Sequence, residues 1–258
     1  MRVYLFVPCY IDQLFPNVAV STLKILEHLG CEVIFPENQT CCGQPAYNTG
    51  YFEEAKLMAM HEVKSLISSA SDNARIDFDF KNDYVVGPSG SCVAMLRNFY
   101  PGLLANDPMF SKLSAEFGKR VFEFSEFINR IIGVERFSGK LEATVSFHDS
   151  CHSLRELGIK EEPRNILKRI EGLKLVELPY AEVCCGFGGT FSVKFPEISA
   201  SMADEKLKNL EQTGAEILVS GDTSCLMHLQ GRARRNGSPR RFAHIAEIMA
   251  ESIIGERA

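Results

Sequence analysis

The sequence carries one cysteine pattern twice, and this internal repeat limits the fold more than any other feature of the 258 residues. The matched motifs follow the same order in both halves, at offsets of roughly 121 to 143 positions. They are Cys9 with Cys151, Cys41-Cys42-Gly43 with Cys184-Cys185-Gly186, Cys92 with Cys225, and residues 125–128 with 246–249. We therefore expect two similar domains, residues 1–136 and 137–258.

Short apolar stretches alternate with helical periodicity along both halves. Strands are predicted at 3–7, 32–35, 84–87 and 121–124, and again at 144–147, 174–177 and 216–220. Helices are predicted at 18–29, 52–67 and 126–132, and again at 161–170 and 197–211. Strands that alternate with helices favour an α/β fold, in which each half is a Rossmann-like βαβ-type unit with a parallel sheet.

The predicted strands place the cysteines at a common edge of each sheet. In open parallel sheets, binding sites form at the carboxyl ends of the strands. Single cysteines come just after strands, and the vicinal pairs lie in loops that follow strands. We therefore expect one metal centre in each half. The predicted ligands are Cys9, Cys41, Cys42 and Cys92 in the first half, and Cys151, Cys184, Cys185 and Cys225 in the second.

The donor set favours an iron–sulfur cluster, although the residues alone leave alternatives. Thiolates are soft ligands that suit both iron–sulfur clusters and zinc. Adjacent cysteines crowd one small tetrahedral ion, whereas they can bind different iron atoms of a wider cluster. A zinc-stabilised interaction module is the first alternative, with zinc at one or both sites. A thiol–disulfide oxidoreductase that uses the vicinal cysteines is the second.

Several neighbouring residues are candidates for a supporting role. Gly43 and the glycines at 186, 188 and 189 allow the backbone to approach the centre closely. His148 and His152 flank Cys151, and we interpret them as hydrogen-bonded loop residues, with a ligand role as the alternative. The ninth cysteine, Cys31, has no counterpart in the second half and is predicted to be a small buried residue.

Charge and hydropathy exclude other classes of protein. The net charge of −5 and the lack of a basic stripe argue against nucleic acid as a partner. The densest basic run, 232–241, is interpreted as a solvated loop. No apolar run reaches the ~20 residues of a membrane-spanning helix. Nine cysteines without an export signal indicate a reducing compartment, so we expect a cytoplasmic protein.

Around the vicinal cysteines, the sequence resembles the CCG-domain proteins. That family includes the B subunit of heterodisulfide reductase and the iron–sulfur subunits of systems that oxidise glycolate and glycerol-3-phosphate. Its pattern continues to Cys-x-x-Cys, but this chain has Ser89 and Asp222 where the first cysteine of that motif would stand. The noncubane clusters of the heterodisulfide reductase subunit use that additional cysteine, so the resemblance does not extend to their cluster type. Four thiolates in each half fit a [4Fe–4S] cluster, with Ser89 and Asp222 beside it. We expect Asp222 to be a helix N-cap, with a role as an oxygen ligand as the alternative.

The sequence is also similar to the lactate-utilisation protein A family. The similarity rests on Phe6-Val-Pro-Cys-Tyr10, Gln39–Pro45 and Gly87–Cys92 in the first half, and on Phe147–His152 and Cys184–Glu197 in the second. The resemblance implies an oxidoreductase subunit that acts only in a complex and transfers electrons during the oxidation of L-lactate to pyruvate. It also implies two partners, a ferredoxin-like iron–sulfur subunit and a third small protein.

Overall fold

The computed structural model describes residues 1–69 and 72–255, and these residues form two compact units. The units are Met1–Phe124 and Ser125–Ala258. The contacts group residues 125–136 with the second unit, whereas the repeat in the sequence suggested a boundary after residue 136. That boundary stays a prediction.

The first unit is built on a four-stranded parallel sheet. Its strands are β1 (Arg2–Leu5), β2 (Glu32–Ile34), β5 (Tyr84–Gly87) and β6 (Val121–Glu123), in the spatial order β2-β1-β5-β6. Two further strands, β3 (Ser68–Ser69) and β4 (Asp72–Ile76), form a separate antiparallel ribbon. The helices of the first unit are α1 (Cys9–Leu14), α2 (Pro16–His28), α3 (Gln44–Asn48), α4 (Phe52–Ile67), α5 (Gly90–Ala94), α6 (Tyr100–Leu103) and α7 (Phe110–Gly118). A π-helical turn at Met95–Phe99 joins α5 to α6.

The second unit repeats this architecture in the order β10-β9-β7-β8, again with all strands parallel. Its strands are β7 (Gly139–Phe147), β8 (Ile170–Leu175), β9 (Ile217–Ser220) and β10 (Arg241–His244). The α8 helix (Phe124–Phe127) begins at the last residue of the first unit and continues into the second. The other helices of the second unit are α9 (Glu161–Lys168), α10 (Thr190–Lys194), α11 (Pro196–Thr213), α12 (Thr223–Arg235) and α13 (Ile245–Ile254). A π-helical turn at His152–Glu156 follows β7.

The central strands form because their residues are apolar and can be buried on both faces. All four residues of β9 are buried, and so are three of the four in β1 and in β5. Such continuous apolar runs are typical of parallel sheets that helices cover on both sides. The α2 helix covers the sheet with Val18, Ile25 and Leu26, whose helical spacing puts them on one face. The predicted α/β fold with two similar halves is confirmed.

Three predictions for the second unit need correction. The β8 strand begins at Ile170 and not at residue 174, because only Ile170 in this edge strand is fully buried and its apolar signal is weak. The β7 strand starts five residues earlier than predicted. The basic run is only partly a loop: residues 236–240 connect the end of α12 at Arg235 to β10, a strand that the sequence did not reveal. Cations in the last turn of a helix stabilise its dipole.

Among the residues that the structure describes, no helix combines the length and the apolar character needed to cross a membrane.

A buried ion pair fixes α9 against the loop after β7. The guanidinium of Arg164 donates to the two carboxylate oxygens of Asp149 at 2.8 and 2.9 Å, and also to Glu177. Side chains of Arg164 and Asp149 are only 5% and 2% exposed. The charges are therefore removed from water and depend on each other.

We predict that Arg164→Ala lowers the free energy of unfolding by about 3–5 kcal/mol, because the Asp149 carboxylate would stay buried without its cation. Urea denaturation followed by circular dichroism measures this change. Arg232→Ala is the control, since Arg232 pairs with Asp204 at the surface and should leave the midpoint almost unchanged. Equal effects of the two substitutions would contradict the prediction.

Candidate metal centres

Three adjacent strands deliver the cysteines of the first half to one edge of the sheet. Cys9 begins α1 four residues after β1, and Cys92 lies in α5 just after β5. The vicinal pair Cys41–Cys42 lies in the loop after β2. The Gln39 side chain holds this loop beside β1, because its amide accepts from Val7 N at 2.6 Å and donates to Leu5 O at 3.0 Å.

The four thiols predicted for the first centre meet. Cys9 Sγ donates to Cys41 Sγ at 3.8 Å, and the Cys42 thiol is hydrogen-bonded to both Cys41 and Cys92. Cys9 and Cys41 are partly exposed, whereas Cys42 and Cys92 are buried. The centre therefore has a protected side and a side open to solvent.

The second half forms the same arrangement. Cys151 precedes the π-helical turn after β7, Cys225 lies in α12 after β9, and the vicinal pair follows β8. Cys184 is hydrogen-bonded to Cys151 and to Cys185, which in turn contacts Cys225. Two of these thiols are again buried and two are partly exposed.

Hydrogen bonds decide which sulfur ionises first in each centre. Thiols of Cys42 and Cys9 donate to Cys41 and lower its pKa, while the pKa values of the two donors rise. The pKa of Cys184 is lowered in the same way by Cys151 and Cys185. Cysteine binds a metal as the thiolate. The lowered pKa of Cys41 and of Cys184 therefore gives each centre one sulfur that ionises readily in the absence of a metal.

The glycine of each Cys-Cys-Gly motif adopts a conformation that other residues avoid. Gly43 has φ +80° and Gly186 has φ +93°. A Cβ atom at Gly186 would lie 2.6 Å from the Ser199 carbonyl oxygen, whereas one at Gly43 would make only ordinary contacts of 3.4 Å. This turn aims the Gly186 N–H at Cys184 Sγ, at 3.4 Å.

The remaining residues predicted near the centres lie at helix starts. Ser89 precedes α5 and is buried, with its hydroxyl 3.2 Å from that of Ser91. Asp222 is the N-cap of α12 and accepts from Ser224 N at 3.1 Å, which confirms the prediction of a cap. Gly188 and Gly189 lie in the turn before α10. Binding of a cofactor by any of these residues stays a prediction.

Cys31 lies at the opposite edge of the first sheet. It comes directly before β2, at the amino end of that strand, and it is 8% exposed. The prediction of a small buried residue is confirmed. Its position provides an internal control for the eight cysteines at the carboxyl edges.

The sequence analysis did not identify two buried ionisable side chains that lie near the vicinal cysteines, one in each half. Glu62 on α4 accepts from Thr40 N at 2.8 Å, next to Cys41. Burial raises the pKa of Glu62 to about 7, although the Thr40 hydrogen bonds oppose this shift. Lys206 on α11 donates to the carbonyls of Tyr180 and Ala181, and burial lowers its pKa.

These two groups occupy equivalent positions. Gly43 packs on Ala55 and Gly186 packs on Ser199, and the charged residue follows seven positions later in each helix. A carboxyl group thus stands in the first half where an ammonium group stands in the second. Only the repeat, extended to α4 and α11, could have shown this from the sequence.

His148 is the third residue that sequence reasoning undervalued. It directly follows β7 and is 1% exposed. One ring nitrogen of His148 and the sulfurs of Cys185 and Cys225 all lie within 4.8 Å of one another. Burial and the nearby Lys206 ammonium lower the pKa of His148 to about 4, so the imidazole is neutral at pH 7.

Comparisons with known proteins agree with this arrangement. The sequence profile of the CCG family, described as "Cysteine-rich domain", matches residues 3–97 and 145–230. The chain is 44% identical over 251 residues to lactate utilization protein A 1 of Bacillus mycoides, covering 97% of both chains. It is also 44% identical over 252 residues to lactate utilization protein A of Exiguobacterium sp., covering 98% of both.

A solved structure shares the fold at low sequence identity. A hypothetical protein from Helicobacter pylori superposes with a TM-score of 0.60 and 14% identity. The match covers 100% of this chain and 49% of that one. The likeness concerns the fold alone.

We predict that Gly186→Ala destabilises the protein more than Gly43→Ala does. Both substitutions impose a left-handed conformation on alanine, which costs about 1–2 kcal/mol. Only Gly186→Ala also drives a methyl group into the Ser199 carbonyl. Thermal unfolding of the two variants tests this, and a larger loss for Gly43→Ala would contradict the close contact at Gly186.

We predict that Glu62→Gln removes part of the pH dependence of stability. The folded protein holds the Glu62 proton more tightly than the unfolded chain, because burial raises the pKa from 4.5 to about 7. The stability that Glu62 contributes is therefore fully present below the unfolded pKa and is lost as pH rises towards 7, by about 3 kcal/mol in total. Glutamine should abolish this loss. The control is Glu54→Gln, on the exposed face of the same helix.

Denaturation curves at a series of pH values between 4.5 and 8 measure the effect. Parallel wild-type and Glu62→Gln profiles would show that the carboxyl group does not titrate in this range.

Proposed function

Because the chain belongs to the CCG cysteine-rich domain family, alongside the lactate utilization protein A sequences, we propose that it is an iron–sulfur electron-transfer subunit of a complex that oxidises L-lactate to pyruvate. The observation that carries this proposal is the meeting of four thiol groups at the carboxyl edge of each sheet. We place the complex in the cytoplasm, where reducing conditions keep the cysteines available as ligands.

The donor set suits an iron–sulfur cluster in several respects. Such clusters are held by four cysteine thiolates, and their potentials depend on net charge, hydrogen bonds to sulfur and exposure. In the second half, backbone N–H groups of Gly186 and Phe187 donate to Cys184 and Cys185 at 3.4 and 3.5 Å. The protein thus supplies both the thiolates and the dipoles that set the potential.

The partial exposure of each centre suits a relay. Oxidation of L-lactate to pyruvate releases two electrons and two protons, and a cluster carries electrons one at a time. Cys9 and Cys41 in the first half, and Cys151 and Cys184 in the second, leave one side of each centre open. Electrons can therefore enter and leave without passing through the protein core.

A surface beside the second centre suits a partner subunit. Val193, Phe195 and Ile198 follow the glycine turn and are 79%, 52% and 55% exposed. Clustered exposed apolar side chains are typical of protein–protein contact sites. We propose that the partners are a ferredoxin-like iron–sulfur subunit and a third small subunit.

Zinc is the second candidate for the metal, and one distance favours it. Two sulfurs bound to one tetrahedral zinc ion at about 2.3 Å lie about 3.8 Å apart. Cys9 Sγ and Cys41 Sγ have this separation. A zinc-stabilised interaction subunit therefore stays open for the first half, and metal analysis distinguishes the two.

We predict that protein purified without oxygen and reconstituted with iron and sulfide binds about four irons and four sulfides per occupied centre. Broad visible absorption should appear and bleach on reduction with dithionite. Cys42→Ser and Cys185→Ser should each lose the metal of one centre, because each removes a buried ligand. Cys31→Ser, at the opposite sheet edge, should keep the wild-type iron content.

Zinc without sulfide in the purified protein would favour the structural alternative. A mixed disulfide trapped at Cys42, together with full activity of Cys9→Ser, would favour thiol–disulfide chemistry.

The proposed role in L-lactate oxidation is tested separately, by complementation of a strain that lacks this chain. Growth on L-lactate should return with wild-type protein or Cys31→Ser and should not return with Cys42→Ser.

A further inference from the structure

The imidazole of His148 is a buried polar group of the second unit. The backbone of Ala181 lies near the ring, but neither Nδ1 nor Nε2 makes a hydrogen bond of acceptable geometry with a described residue, although both atoms are buried. A buried polar group left without a partner costs about 1–3 kcal/mol. Such a group in a native protein calls for an explanation, and an ion that binds it is one.

The backbone holds the His148 ring in place. His148 N donates to Val219 O at 2.8 Å, and its carbonyl accepts from the Ser220 hydroxyl at 3.0 Å. These two bonds fix the backbone N–H and the carbonyl of His148. The ring can therefore face Cys185 and Cys225 without a hydrogen bond from the imidazole itself. One ring nitrogen and both sulfurs lie within 4.8 Å of one another, close enough to share a metal.

In the first half, the position equivalent to His148 is occupied by Phe6, which has no ring nitrogen. Phe6 follows β1 and donates its N–H to Val86 O at 2.9 Å, as His148 does to Val219. The Phe6 ring packs against Gly87, where an added Cβ would come within 3.0 Å of the ring. An aromatic hydrocarbon therefore fills the space in the first half, so packing alone does not call for an imidazole in the second.

We propose that His148 is a metal ligand of the second centre, which therefore combines imidazole nitrogen with cysteine sulfur, whereas the first centre has sulfur ligands only. This inference rests on the proposed function in that it takes the second set of cysteines to hold iron. Because the second half then offers five donors, the imidazole takes the place of one thiolate, and such a replacement raises the reduction potential of an iron–sulfur centre. The two centres of the chain thus differ in potential, and the second is the stronger electron acceptor.

Pulsed electron paramagnetic resonance of the reduced, iron- and sulfide-reconstituted full chain tests the ligation. Protein labelled with ¹⁵N-histidine should give a strongly coupled ¹⁵N signal in one of the two centres, in place of the ¹⁴N signal of unlabelled protein. His148→Phe should lose this coupling and lower the potential of that centre. His152→Ala should keep both, although His152 Nδ1 lies 3.5 Å from Cys151 Sγ.

Two further variants guard against misfolding. His148→Phe combined with Ser220→Gly reproduces the Phe6–Gly87 pair of the first half, and His148→Gln keeps a polar side chain of similar size. Circular dichroism establishes that each variant folds. Normal iron content with only weak nitrogen coupling in the wild type would overturn the inference, as would coupling that disappears in His152→Ala.

Cobalt(II) separates failure of this inference from failure of the proposed function. If the wild type binds no iron, the electron-transfer proposal fails, yet Co²⁺ added to the metal-free chain still reports on the ligands. Wild-type protein should bind Co²⁺ at the second centre about tenfold or more tightly than His148→Phe, with a shift in the visible d–d bands. Identical cobalt spectra and affinities would overturn the ligation by His148.

Discussion

Both candidate centres depend on the parallel alignment of the strands in each sheet. Since neighbouring strands all point the same way, the segments that follow them emerge at one edge, and residues distant in the sequence become neighbours there. The orders β2-β1-β5 and β8-β7-β9 are equivalent, so the two halves present their cysteines in the same arrangement. An antiparallel strand in either position would carry its cysteine to the far edge, as the location of Cys31 before β2 illustrates.

Most of this arrangement could be predicted from the sequence because its signals are local or repeated. The central strands are continuous apolar runs, and the helices around them have regular apolar spacing, so their type was predictable from short windows. The repeated Cys-Cys-Gly motif then selected eight of the nine cysteines. Geometry brings those eight together in two groups of four, through contacts such as that between Cys9 and Cys41.

What could not be predicted depends on tertiary burial. The edge strand β8 and the strand β10 carry polar residues, so their sequences lack a clear strand signal. Glu62, Lys206 and His148 look like ordinary polar residues in the sequence. Their importance comes from the loss of water around them, which no local pattern records.

The duplicated halves are not electrically equivalent. A buried carboxyl group and a buried ammonium group stand at matching positions behind the vicinal cysteines, as Glu62 and Lys206. Fixed charges in a dry environment act over longer distances than they do in water. The Lys206 ammonium favours negative charge on Cys184 and Cys185, whereas the Glu62 carboxylate, when it is ionised, opposes negative charge on Cys41.

The distance along the chain between the thiols of one centre also governs how that centre is made. Cys9 and Cys92, or Cys151 and Cys225, are separated by roughly 75 to 85 residues, so closing them into one site requires the whole half to fold. In a zinc finger the ligands are close in sequence and the metal drives folding. Here the order is reversed: all four thiols of a centre become available to a metal only after the half has folded, and two of the four are then partly exposed to solvent.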